Sequence, residues 1–160
     1  MLHAMIMAGG GGTRFWPRSR DRRPKQFLSF AGNRTLLQET VDRIAAQIPP
    51  ERTWVLTGEP YVAATAEQLP ELPREHIIGE PARRDTAACV GLGAALIGKA
   101  DSDATIVVMP ADHIIEPEQE FRRALHAAEQ VATDHPDALL TFGIRPTYPS
   151  TNYGYIRFGG

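Results

Sequence analysis

Uninterrupted apolar runs of strand length alternate along this chain with segments of helical spacing, and that alternation restricts the fold more than any other feature. Residues 2–8 form one such run and end in glycines. Residues 53–57 (TWVLT), 76–78 and 105–109 (TIVVM) form others. Between them, residues 35–48 place Leu36, Leu37, Thr40, Ile44 and Ile48 at helical spacing, and Pro49-Pro50 closes the segment. Helices are also expected over 60–69 (opened by proline), 85–99 (with Asp85 as N-cap) and 116–134 (acidic in its first turn). Two later strands are expected over 138–144 and 153–158. Strands alternating with helices imply βαβ units, and strands apolar on both faces imply a mostly parallel sheet with helices on both sides. Such sheets bind ligands at the carboxyl ends of their strands. The segments after Ala8, Ile78 and Met109 are therefore the places to look.

Composition narrows the function class. A chain of 160 residues supports one domain. The net charge of −2 gives no bulk attraction to nucleic acid. The single cysteine, Cys89, has no internal partner and sits among Ala87, Ala88 and Val90, which suits a small core residue. The longest uncharged apolar stretch, roughly 86–98, is too short to span a bilayer and contains three glycines. The N-terminus lacks a basic region ahead of its apolar run, so it reads as a buried strand and not a signal peptide. A soluble, cytoplasmic protein with no nucleic-acid or membrane partner is expected. Charge is uneven, however. Residues 9–34 hold seven basic side chains against the single acid Asp21, a net +6 that leaves −8 elsewhere. A local basic patch on an acidic domain suits a small anionic ligand.

The patch follows Ala8-Gly9-Gly10-Gly11-Gly12-Thr13-Arg14. Glycines at a strand end allow close backbone approach, so successive N–H groups can cradle phosphate. Two familiar phosphate motifs fail. The dinucleotide fingerprint would need glycine where Arg14 or Phe15 stands, and no Gly-Lys-Ser or Gly-Lys-Thr follows as a Walker loop requires. Gly91-Leu92-Gly93 lies inside an expected helix and reads as packing.

The string from Gly9 through Phe15-Trp16-Pro17-Arg18-Ser19-Arg20, followed by Pro24-Lys25-Gln26-Phe27, resembles the signature of the mannose-1-phosphate guanylyltransferases. Glu80-Pro81-Ala82-Arg83-Arg84-Asp85-Thr86-Ala87 resembles that family's second motif, and Pro110-Ala111-Asp112-His113 its metal motif. Gly143-Ile144-Arg145-Pro146-Thr147 with Tyr153-Gly154-Tyr155-Ile156 resembles its sugar-side segment. The matches run in family order over residues 5–156. Asp85 and Asn152 depart from the pattern, standing where the family more often has asparagine and glycine.

The resemblance implies a Rossmann-like nucleotidyltransferase domain and the transfer of GMP from GTP to mannose 1-phosphate. A phosphate oxygen is the nucleophile and is already ionised near neutral pH, so no general base is required. The enzyme must neutralise crowded negative charge and hold an in-line geometry. Arg14 and Lys25 would be the catalytic cations, Arg14 gripping the outer phosphates as a fork and Lys25 acting as a point charge. Ala8, Gly9, Gly10, Gly11, Gly12 and Thr13 would wrap the nucleotide. Asp112 would hold Mg²⁺, which takes one or two carboxylates plus phosphates and water. Glu80 would accept from the N1–H and N2 amino groups of guanine, with the backbone of Asp85, Thr86 and Ala87 sharing that task. Gly154 would admit the sugar. His113 suits a supporting role, Trp16 and Phe27 suit packing that fixes the loop, and Arg18, Arg20, Arg22 and Arg23 suit a solvated face.

Other readings stand beside this one. They are another sugar-1-phosphate nucleotidyltransferase and a non-catalytic nucleotide-binding module; a dehydrogenase is disfavoured by the failed fingerprint. The family's domain continues past the length of this chain, with a further sugar-binding segment and a second metal carboxylate. Residues 1–160 are thus expected to be its N-terminal, nucleotide-binding part, to bind GTP weakly or not at all, and not to turn over alone. Unpaired sheet edges would invite a second copy, a route to a homo-oligomer.

Overall fold

The computed structural model describes residues 1–10, 16–20, 23–30, 32–82, 84–157 and 159. Four parallel strands form one sheet in the order β3-β2-β1-β4. They are β1 (Leu2–Met7), β2 (Thr53–Gly58), β3 (Ile77–Glu80) and β4 (Thr105–Pro110). Crossovers run through α1 (Leu36–Ile44), α2 (Val62–Gln68) and α3 (Asp85–Ala100), and α4 (Glu118–Asp134) follows β4. β1 is central. Its residues Leu2 to Met7 pair in register with Thr105 to Pro110, and Ala4 to Met7 pair with Thr53 to Leu56 on the other side.

Period-two alternation sends the residues of β1 to two cores. Leu2, Ala4 and Ile6 face a core shared with Leu37, Val41 and Ile44 of α1 and Leu125 of α4. Met5 faces the other, with Trp54, Leu56 and, from α3, Cys89 and Ile97. α3 approaches closely because Gly93 has no Cβ: one there would overlap the Met5 sulfur and lie 3.3 Å from a Leu56 methyl. Gly91 faces open space instead, so its packing role is not seen.

The expected architecture is therefore present, with four differences. α1 stops at Ile44, although Ile48 remains fully buried beyond it. Its start is fixed by a capping box in which the Thr35 hydroxyl accepts from the Gln38 N–H and the Gln38 side chain accepts from the Thr35 N–H. Pro60 lies in a 3-10 turn ahead of α2. α4 begins at Glu118, with Pro117 as its N-cap in an extended conformation. Most importantly, the strands expected over 138–144 and 153–158 do not form among the described residues. Leu139 is 100% exposed and Ile144 87%. Apolar β-formers make a strand only with a ladder partner and a surface to cover, and these residues have neither here.

At the end of the sheet away from the glycines, His3 is buried and doubly bonded. The Trp54 indole N–H donates to His3 Nδ1 at 3.3 Å, and Nε2 lies 3.1 Å from Asp101 Oδ2. An indole can only donate, so Nδ1 must be bare and Nε2 carries the proton. Protonating Nδ1 would set two donors against each other. Burial, partly offset by Asp101, lowers the His3 pKa below its ordinary 6.5. The folded state therefore binds this proton less readily than the unfolded chain. Its contribution to stability is complete above about pH 6.5 and is lost as pH falls through the lowered value. Thermal melts of wild type and His3→Asn between pH 8 and pH 5 check this. Wild type should lose stability more steeply below pH 6.5, and parallel curves would show that His3 does not report the pH.

Candidate functional site

The carboxyl ends of β1, β3 and β4 open into a cavity of about 360 Å³. Its walls include Ala8, Gly9 and Gly10 from the end of β1, Lys25 and Gln26, Glu80 at the end of β3, Asp85 and Thr86 at the start of α3, and Asp112 just past β4. Eight of the residues named from sequence thus meet in one place. Ala87 is exposed on the first turn of α3 and does not line it. Gly11, Gly12, Thr13 and Arg14, along with Arg22 and Arg83, lie outside the described residues. Gly154 is not brought to the cavity; it is exposed in the unpaired segment beyond α4, with open space around it.

The backbone at Ala8 is anchored before the glycines begin. Its N–H donates to the Leu56 carbonyl at 2.7 Å, continuing the ladder with β2. Its carbonyl accepts from the Gln26 amide at 2.6 Å and from the Thr57 hydroxyl at 3.1 Å. Gln26 is 3% exposed and belongs to the 3-10 turn Lys25–Phe27. The same bond therefore ties the turn that presents Lys25 to the end of the central strand. Phe27 closes the turn from below, its ring edge-on to Tyr61 at 6.2 Å between centroids. Trp16, expected to pack, is 76% exposed: it lies in a connection that runs over the surface, where no core reaches it.

Opposite charges face each other across the cavity. Lys25 Nζ lies 3.2 Å from Asp112 Oδ2, both side chains partly open to solvent. His113 Nε2 is 3.8 Å from the other Asp112 oxygen and is mostly exposed, in keeping with a supporting role. A partly solvated pair of this kind contributes little stability, ~0–1 kcal/mol, so an incoming anion or cation can take either partner. Asp112 offers one accessible carboxylate on the cavity wall. No group of three or more metal-binding side chains occurs among the described residues. That donor set fits Mg²⁺ held partly by a bound phosphate and poorly suits a metal caged by protein alone.

Glu80 forms the opposite wall, wedged against the chain at Gly9. A Cβ on Gly9 would stand 2.6 Å from Glu80 Oε1, so the glycine leaves room for the carboxylate as well as for a ligand. Beneath it lies Cys89, whose thiol is pushed up to about 11 by burial and by the neighbouring Glu80 charge. It is an inert core thiol, as expected. Asp85 does not cap α3. Arg84 holds the N-cap position with no side-chain bond, and Asp85 is the first helical residue with φ of +61°. Aspartate and asparagine tolerate this left-handed conformation better than most side chains.

Three residues of this framework were not singled out from sequence: Gln26, Thr57 and Arg43. Gln26 and Thr57 are buried polar groups that converge on one carbonyl. Arg43 is buried in α1 and donates to the His113 carbonyl at 3.1 Å. A polar residue at an apolar position of a helical pattern was the one signal available for Arg43.

Residues 3–160 match the family model described as Nucleotidyl transferase. The chain is 44% identical over 163 residues to the mannose-1-phosphate guanylyltransferase of Escherichia coli (strain K12), covering 99% of this chain and 33% of that protein. It is 42% identical over 159 residues to mannose-1-phosphate guanylyltransferase RfbM of Salmonella typhimurium (strain LT2), covering 97% of this chain and 33% of that protein. It spans about a third of the length of the curated relatives it matches. Among solved structures, a Thermus thermophilus protein named mannose-1-phosphate geranyltransferase superposes with a TM-score of 0.71 at 38% identity, over 82% of this chain and 38% of that one. A Helicobacter pylori protein named mannose-6-phosphate isomerase shares the fold, with a TM-score of 0.62 at 21% identity over 83% of this chain and 47% of that one. No helix among the described residues is long and apolar enough to cross a membrane. A family model that matches residues 3–160, laid on a parallel sheet with helices on both sides, places this chain in the nucleotidyl transferase family.

Proposed function

We propose that the complete protein transfers GMP from GTP to mannose 1-phosphate, giving GDP-mannose and pyrophosphate. The observation that carries this reading is the convergence of Lys25 and Asp112, 3.2 Å apart, beside the glycine end of β1. The names of relatives 40–44% identical to it support the choice of nucleotide and sugar. A cytoplasmic setting belongs to the same reading and suits the lone, unpaired Cys89.

In this mechanism an oxygen of the sugar phosphate attacks the α-phosphorus of GTP. One O–P bond forms, the bond to the bridging oxygen of the leaving group breaks, and the electron pair departs with pyrophosphate. The backbone N–H groups of Gly9 and Gly10, with Gly11, Gly12 and Thr13 after them, cradle the phosphates. Lys25 leaves Asp112 to meet the charge that develops at the transferred phosphoryl group. Arg14 grips the outer phosphates. Asp112 would hold Mg²⁺, which when bound would neutralise phosphate oxygens. Glu80 accepts from the N–H edge of guanine, with the backbone at Asp85 and Thr86 beside it. Gly154, and Ala87 on α3, complete the site only if the segment beyond α4 and the first turn of that helix close over the ligands.

Pyrophosphate release from GTP and mannose 1-phosphate with Mg²⁺, measured on the complete protein, tests the activity. Lys25→Ala should lower kcat/KM by much more than it weakens GTP binding. A loss below about tenfold, roughly 1.4 kcal/mol, would remove Lys25 from the reaction. Asp112→Asn keeps the size of the side chain and removes its charge. Its magnesium titration should shift to higher concentration with the fold intact, and curves that superimpose on wild type would sink the metal assignment.

Base selection has its own test. Glu80→Gln puts an NH₂ donor against guanine's N–H edge, a mismatch worth about 1–3 kcal/mol. GTP should lose affinity by that amount, while ATP and UTP change little. Equal effects on all three nucleotides would show that Glu80 does not read the base.

A further inference from the structure

Arg43 has a placement that the proposed chemistry does not use directly. It lies on α1, 3% exposed, between that helix and the loop that leaves β4. Its guanidinium donates to the His113 carbonyl at 3.1 Å, and its central carbon stands 5.8 Å from the centre of the Phe121 ring of α4. Nε has no hydrogen-bond partner among the described residues. Glu118 and Glu39 favour the charge through space, but burial dominates and lowers its pKa from the ordinary value. A buried cation held by one carbonyl and one aromatic face is an expensive way to fill a helix interface. An apolar side chain would pack there with less loss.

The carbonyl it holds belongs to the residue after Asp112. α1 also reaches the other half of the charged pair: its first residue, Leu36, donates its N–H to the Leu28 carbonyl at 3.0 Å, directly after the turn that presents Lys25. In the turn past the end of α1, Gln47 donates to the Arg122 carbonyl at 3.0 Å, tying that turn to α4. α1 thus bonds to the backbone beside both members of the charged pair.

We propose that Arg43 is a positioning residue, whose hydrogen bond to the His113 carbonyl sets where the Asp112 carboxylate stands relative to Lys25. This rests on the functional reading above for what Asp112 holds, but the mechanical part stands on the hydrogen bond alone. Residues that orient a metal-binding carboxylate typically govern metal affinity by about 10–100-fold when removed.

Two measurements on the complete protein test it, with Arg43→Met and Arg43→Lys beside wild type. The first is hydrogen exchange without ligand. Arg43→Met should speed exchange over 111–116 and leave β1 and β2 protected as in wild type, with Arg43→Lys in between. Unchanged exchange over 111–116 overturns the proposal. The second is a Mn²⁺ titration in the presence of GTP, followed by the resonance of the free ion. Arg43→Met should weaken Mn²⁺ by about tenfold or more, and Arg43→Lys by less. Wild-type affinity in Arg43→Met overturns the positioning role. If wild type itself does not bind Mn²⁺ with GTP, the functional reading fails, and the exchange measurement still decides whether Arg43 sets the loop. If neither variant folds, Arg43 is a structural residue and the proposal is overturned.

Discussion

The peptide at Ala8 is held on both sides: its N–H by the Leu56 carbonyl, its carbonyl by the Gln26 amide and the Thr57 hydroxyl. Everything at the cavity is measured from that point. β1 is an inner strand, paired on both edges, so its end cannot shift without dragging β2 and β4. The glycines leave from a fixed origin, and Gln26 carries the Lys25 turn to the same origin. Satisfying a buried carbonyl is obligatory in any fold. Here the side chain that does so also orients the chain next to it.

The polar groups around the cavity divide by burial. Gln26, Thr57 and Arg43 are buried and bonded to backbone, so their removal would leave unpaired groups in the interior. Lys25, Asp112 and Glu80 stand in the open part of the cavity, where contacts exchange readily with solvent or ligand. The first group builds the frame, and the second is available to do chemistry. A weak Lys25–Asp112 pair is useful in such a place: it keeps two charges compensated at rest and gives way to a stronger partner.

The apolar patterns of β1, β2 and β4 announced a parallel sheet because no polar alternation dilutes the signal; β1 and β2 are buried on two faces, and β4, at the sheet edge, only in part. The same reasoning failed for 138–144 and 153–158. Leu139, Phe142 and Ile144 have strand composition, but they lie exposed, and no strand among the described residues pairs with them. Composition states what a segment can do against a partner; it does not supply the partner. Asp85 shows the local version. Its residue type suits a cap, yet it lies one position inside α3 with a left-handed backbone.

By itself, the sequence determined the order of strands and helices, the glycine end of β1 and the chemical types that gather there. Those are local properties, set by side-chain periodicity and by glycine's lack of a Cβ. Only the tertiary structure decided that Lys25 and Asp112, far apart in the chain, stand 3.2 Å from each other, that Gly9 makes room for Glu80, and that Arg43 reaches the carbonyl beyond Asp112. These depend on which strands are neighbours and how α1 packs across them. That is settled by burial of apolar surface over the whole domain, and no residue pattern in a single segment encodes it.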